Sequence, residues 1–221
     1  MVVLYQIMNN KNLDQGRYIL GVDEAGRGPL AGPVCFGFVL MEKGFYGKYK
    51  RAKNSVPAGR DSKKMSTKER DRWFGSVKEM KKMGQCRYFF VMKSAKFIDK
   101  HGISLSIKKS ITEALIKNKI NKNNTLVLLD GALRAPFVYK QKTIIKGDEK
   151  EKIISLASVV AKVSRDRLMI KLSKKYPKYG FEKHKGYGTK EHKKMIWKYG
   201  LSPLHRKTFC HSVLLGNSVT K

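Results

Sequence analysis

Six consecutive residues constrain this chain more than any others. In Thr125-Leu126-Val127-Leu128-Leu129-Asp130, four apolar side chains follow one another without interruption and the run closes on an acid. A strand with one wet face alternates polar and apolar residues, so a run that does not alternate needs cover on both faces. The segment therefore predicts a central strand with helices above and below it. Elsewhere strands come first and then alternate with helices, which favours a mixed sheet flanked by helices over a sandwich. The expected class is α/β with five strands.

The other strands are read from short β-prone runs. Residues 18–23 and 34–40 flank the glycine- and proline-rich stretch 25–33, whose stiff turn predicts an antiparallel pair with an acidic dipeptide at the end of the first strand. Residues 87–92 and 143–146 complete the five. Ser66-Thr67-Lys68-Glu69 has capping-box spacing ahead of Trp73, Phe74, Val77 and Met80, which predicts a helix. Ile103, Leu105, Ile107, Ile111, Leu115 and Ile116 place another over 104–118, and a third pattern runs over 152–172 with small residues at Ala157, Ser158 and Ala161. Residues 43–60, rich in Gly and Lys, read as a mobile basic loop. The expected organisation is a catalytic core over 1–175 and a small helical extension of the same domain over 176–221.

The 221 residues carry 48 Lys and Arg against 17 Asp and Glu, a formal charge of +31. With 41% hydrophobic residues there is enough for a core, so the charge signals a polyanionic partner rather than disorder. Nucleic acid fits better than a membrane surface, because no basic amphipathic stretch dominates and no apolar run approaches the roughly 20 residues a bilayer demands. Three cysteines, Cys35, Cys86 and Cys210, are an odd number without paired spacing, which argues for reduced buried thiols and against a disulfide framework or a zinc site. The expected location is the cytoplasm and the expected state a monomer.

Asp23, Glu24, Asp130 and Asp148 each lie at or just beyond the C-terminal end of an expected strand, the edge where ligands gather in open α/β sheets. A lone strand-end Asp is ordinarily a turn former or a cap; four of them converge if the strands are neighbours. Converging carboxylates repel unless cations lie between them, and hard divalent ions such as Mg²⁺ prefer oxygen ligands. A basic surface and a carboxylate cluster together point to phosphodiester hydrolysis with two metal ions. Asp166 reads instead as a helix-surface ion pair, and Asp99 as lying near a helix start. A non-catalytic RNA-binding protein of ribosomal type would share the charge but has no use for acids placed at strand ends.

The block Gly21-Val22-Asp23-Glu24-Ala25-Gly26-Arg27-Gly28-Pro29-Leu30-Ala31-Gly32-Pro33-Val34 resembles ribonuclease HII, and the likeness continues through Asp61-Ser62-Lys63-Lys64, Leu129-Asp130-Gly131, Lys146-Gly147-Asp148, Ala161-Lys162-Val163-Ser164-Arg165-Asp166, His184-Lys185-Gly186-Tyr187-Gly188-Thr189 and His205-Arg206. The resemblance spans roughly residues 17–210. It implies an RNase H-like fold and Mg²⁺- or Mn²⁺-dependent cleavage of RNA in RNA/DNA hybrids. It also implies cuts 5′ of single ribonucleotides in duplex DNA, leaving 3′-hydroxyl and 5′-phosphate ends, with roles in ribonucleotide excision repair and RNA primer removal. Asp23, Glu24, Asp130 and Asp148 would then hold the metal. Gly26, Arg27 and Gly28 would read the ribose 2′-hydroxyl mainly through main-chain groups, and Tyr187 would stack on the next deoxyribose. Lys63, Lys64, His184, Lys185 and Arg206 would contact phosphates. At Gly102-Ile103-Ser104-Leu105 the chain departs from the family, leaving Ser104 or Ser106 to replace an Asn contact. Ribonuclease HIII is the less fitting relative, since it lacks the Gly-Arg-Gly turn and adds an N-terminal domain for which the leading residues leave no room.

Overall fold

Strands β1 (Tyr18–Ala25) and β2 (Val34–Glu42) form an antiparallel hairpin, with Tyr18 opposite Glu42 and Ala25 opposite Cys35. The computed structural model describes residues 16–53 and 65–215. β3 (Cys86–Lys93) adds antiparallel to β2, and on the other side β4 (Thr125–Asp130) and β5 (Lys140–Ile144) run parallel to β1, giving the order β3-β2-β1-β4-β5.

The period-2 pattern of the strands divides the core in two. Leu20, Val22, Phe36, Phe38, Val127 and Leu129 face a helix spanning residues 95–117, labelled α3 below. Ile19, Val39, Met41 and Leu128 face the opposite layer. That layer holds α1 (Lys43–Arg51), α2 (Thr67–Lys82) and a long helix over residues 152–173, labelled α5 below. The run 125–130 is thus covered on both faces, as its lack of alternation requires. The long helix lies so close that a Cβ on Gly21 or Gly37 would overlap the main chain of Ile153 or Ala157. Small residues at Ala157 and Ala161 allow the same approach from the helix side.

Several elements depart from the sequence reading. Residues 43–51 form α1 rather than loop: Phe45, Tyr46 and Tyr49 make an apolar stripe against the core, and the buried Tyr46 hydroxyl donates to Glu151 Oε2 at 2.7 Å. Residues 54–60 of the expected loop lie outside the described residues. Helix α3 (Ala95–Lys117) begins well before residue 104, capped by Ser94, and breaks at Gly102, where φ is 76°. Leu105 and Ile116 of the expected apolar series are exposed. Strand β5 is displaced toward the N-terminus of residues 143–146; Lys140, Gln141 and Lys142 suit an edge strand, where charge deters further pairing, but not an apolar template. The box at Ser66 forms as expected, with Ser66 Oγ accepting from Glu69 N at 3.2 Å and Ser66 N donating to Glu69 Oε2 at 2.9 Å.

The short α4 (Gly147–Lys150) leads into α5 (Lys152–Ser173), and the chain ends in α6 (Phe181–His184), α7 (Lys190–Tyr199) and α8 (Lys207–Leu215). This last group is hydrogen-bonded to the turn after β1 through Gly32 N to Leu204 O at 2.8 Å and Arg206 N to Leu30 O at 2.7 Å. Asp99 caps α8, accepting from Lys207 N and Thr208 N. All three cysteines are buried and free. Among the described residues, no helix is long and apolar enough to cross a membrane.

Candidate active site

Parallel pairing of β1 and β4 places Val22 beside Leu129, so the next residues, Asp23 and Asp130, emerge side by side at the carboxyl edge of the sheet. Asp130 Oδ1 accepts from Gly147 N at 2.6 Å, which pins the start of α4 to the end of β4 and brings Asp148 to the same edge. Asp23 and Asp148 are buried, 5% and 7% exposed. Asp23 is held well above the usual carboxylate range, first by burial and then by the charges of Glu24, Asp130 and Asp148, while a hydrogen bond from Glu24 N at 2.7 Å opposes the shift. Glu24 leans toward Arg27, whose Nη1 is 3.9 Å from its Oε1.

All three neighbouring charges therefore reach Asp23, and a cation at this edge would relieve the repulsion that raises it. An all-oxygen donor set suits a hard divalent ion. Among the described residues no three acidic, His or Cys side chains stand in ready chelating geometry, since Asp130 is engaged with Gly147 and Glu24 turns toward Arg27. In chemistry and in their shared place at the sheet edge the residues fit a divalent ion.

Beside the acids runs the Gly26-Arg27-Gly28 turn, and two buried guanidinium groups hold it and the residues that follow it to Pro33. Arg206 donates to Gly26 O at 2.6 Å, Arg27 O at 2.7 Å and Gly32 O at 3.0 Å. Arg165 donates to Pro33 O at 2.8 Å and Ala31 O at 3.2 Å. Gly26 has φ of 85°, and a Cβ there would strike the Arg165 guanidinium. The Arg27 side chain is half exposed and Gly28 faces open space.

Gly186 O accepts from Leu30 N at 2.9 Å and Ala31 N at 3.2 Å, so the 184–189 loop is stitched to the same turn. Lys162 Nζ and Arg165 Cζ, both from α5, lie over the exposed Tyr187 ring, 5.7 Å and 5.6 Å from its centroid. A cavity of about 510 Å³ opens beside it, lined by Thr67, Arg70, Lys162, Arg167 and Lys185 among others. A second, of about 640 Å³, lies on the far side of Arg27 and includes Ser104, Lys108, Arg134 and Phe137.

Some candidates point elsewhere. Arg206 and His184, expected at phosphates, face inward: Arg206 has no exposed surface, and His184 Nε2 sits 2.8 Å from Tyr179 O while its Nδ1 accepts from Gly186 N at 3.1 Å. Both hold the loops that surround the site. Ser106 is buried against Gly102 O, which leaves Ser104 as the available replacement for the missing Asn. Lys185 is partly exposed and its Nζ donates to Glu182 O. Lys63 and Lys64 lie outside the described residues. Asp166 pairs with Lys162 at 2.9 Å, four residues away on α5, the ion pair expected of it but partly buried rather than on the helix surface. Sequence reasoning missed Arg165, whose charge does not stand out in a stretch that also carries Lys162, Asp166 and Arg167.

A mixed sheet with acids on its carboxyl edge and helices on both faces is the RNase H-like nuclease fold. The family model of ribonuclease HII matches residues 20–212. Ribonuclease HII of Caldicellulosiruptor bescii is 41% identical over 212 residues, which is 95% of this chain and 95% of that protein. Ribonuclease H2 from Pyrococcus horikoshii OT3 superposes with a TM-score of 0.67 at 24% identity, covering 89% of this chain and 96% of that one. Bst-RNase HIII in complex with Mn²⁺ gives 0.64 at 14% identity, covering 94% and 72%. The chain belongs to the ribonuclease HII family and is a metal-dependent endonuclease of the ribonuclease H class.

Proposed function

We propose that this enzyme hydrolyses RNA in RNA/DNA hybrids and cuts duplex DNA on the 5′ side of single embedded ribonucleotides, serving ribonucleotide excision and RNA primer removal. The observation that carries the reading is Asp23, raised first by burial and then by three neighbouring acids at the sheet edge of a chain with a net charge of +31. Such a cluster has no purpose in a protein that merely binds RNA. In the proposal Asp23, Glu24, Asp130 and Asp148 hold two Mg²⁺ or Mn²⁺ ions. When bound, the ions supply an activated water and stabilise the charge that builds on the phosphate during in-line displacement.

The chain's own groups do the rest. Asp130 is oriented by Gly147 N, and would hold the metal with an oxygen that this hydrogen bond leaves available. The Gly-Arg-Gly turn, fixed by Arg206, offers main chain to the ribose 2′-hydroxyl, the sugar feature that distinguishes RNA from DNA. Tyr187 packs against the following deoxyribose, and Lys162, Lys185 and Arg27 meet phosphates. Water adds to phosphorus, the 3′-oxygen leaves with a proton, and the ends are 3′-hydroxyl and 5′-phosphate. The enzyme works as a monomer in the cytoplasm.

The test is a DNA duplex bearing one ribonucleotide. Nicking 5′ of that nucleotide, dependent on Mg²⁺ or Mn²⁺ and absent from all-DNA duplex, is the expected result. In Asp130→Asn the amide oxygen still accepts from Gly147 N, so the variant should fold and bind while turnover falls by about 10³-fold or more. Retained turnover in that variant would remove the acids from the chemistry.

A further inference from the structure

We propose that His192 and His205 are positioning residues: a relay of two neutral imidazoles that sets the Tyr187 loop against the Gly-Arg-Gly turn. The inference rests on the functional reading above, in which Tyr187 meets the substrate sugar. Ser202 N donates to His205 Nδ1 at 2.9 Å and the Ser202 hydroxyl lies 2.8 Å from the same nitrogen; a main-chain N–H can only donate, so Nδ1 carries no proton and the ring's proton is on Nε2. His205 Nε2 lies 3.0 Å from His192 Nε2, so His205 donates and His192 accepts. The proton of His192 is then on Nδ1, which donates to Tyr187 O at 2.9 Å. One main-chain donor thereby dictates the tautomers of two rings and ends on the carbonyl of Tyr187.

The relay is dry and walled. His192 and His205 are 0% and 2% exposed, Phe181 lies 5.5 Å and 5.7 Å from their ring centroids, and His184 stacks on His192 at 4.3 Å. The burial keeps both rings neutral, as the relay demands; a second proton on either would set N–H against N–H. His184 Nδ1 accepts from Gly186 N, so imidazoles hold both the nitrogen of Gly186 and the oxygen of Tyr187. Gly186 O is in turn spent on Leu30 N and Ala31 N, beside the turn that faces the ribose. The Tyr187 main chain is fixed from one side by the relay and from the other by the turn, while its ring stays open to solvent.

The functional test compares two substrates: a DNA duplex with one ribonucleotide, where Tyr187 senses the RNA-to-DNA step, and a long RNA/DNA hybrid. His192→Leu removes both hydrogen bonds and should lower the junction-to-hybrid ratio of kcat/KM by about tenfold, the scale of one buried hydrogen bond. Tyr187→Ala should lower it equally, and the double variant no further, because both act on one contact. His192→Asn, whose amide N–H can replace the Nδ1 donor, should restore most of the ratio. Nitrogen-15 NMR of the full chain reads the relay without any substrate: neutral His192 protonated on Nδ1, neutral His205 on Nε2. A parallel loss on both substrates, multiplying losses in the double variant, or His192 protonated on Nε2 would overturn the proposal. Wild-type protein that nicks neither substrate, with the tautomers as stated, would instead sink the functional reading beneath it.

Discussion

Asp23 shows how a single residue can be set against the stability of its own fold. Its carboxylate is buried and surrounded by three others, so the folded chain without metal bears a repulsion that the unfolded chain does not. Asp23→Asn removes that charge, and its amide oxygen still accepts from Glu24 N. The variant should therefore be more stable than wild type in chelator, by on the order of 1 kcal/mol in denaturant unfolding, and should lose the stabilisation that Mn²⁺ gives wild type. A destabilised variant would mean that the neighbouring acids do not act on this position. That Asp23, Glu24, Asp130 and Asp148 lie near one edge of the sheet was legible in the sequence because strand ends are legible. Arg165 and Arg206 were not: in a chain with 48 basic residues an arginine reads as solvent-facing, and only the packed structure shows two of them turned under the glycine turn.

Among the elements, the sheet was read well where side chains report their own environment. β4 lacks alternation and is covered on both faces, and α2 begins at its capping box. The misreadings have a physical cause. α1 is short and its glycines and lysines mask three aromatic positions, β5 is an edge strand with lysines, and Gly102 divides α3 into two segments. The C-terminal helices add a dependence on pH. Burial lowers His192 and His205 from 6.5 to about 4, so the unfolded chain takes up protons there before the folded one does. Their contribution to stability is complete above pH 6.5 and is lost as pH falls toward 4. Urea midpoints of Asp23→Asn, which removes the opposing titration of Asp23, should fall between pH 7 and pH 5, and the fall should be smaller when His205→Gln is added. Midpoints flat across that range would mean that the rings are not held neutral.

At the scale of the molecule, a surface with a net charge of +31 surrounds a small acidic edge, and the two have separable tasks. In the proposed function the basic surface gathers the duplex by releasing counterions, whereas the edge and the glycine turn choose the bond. Raising salt from 50 to 200 mM should weaken duplex binding by about 10³-fold if about six phosphates are contacted, measured with catalytically dead protein, while active enzyme keeps its cleavage position. A cut site that moved with salt would show that charge, not the turn, selects the bond. What joins these scales is the proposal that carboxylates from β1, β4 and α4 gather around divalent ions. Crystals grown with Mn²⁺ and measured for anomalous scattering examine this without an assay. The expected result is a peak held by Asp23 and Asp130, with Glu24 and Asp148 turned toward the same site; Mn²⁺ bound elsewhere in a crystal of active enzyme, with these four acids untouched, would contradict it.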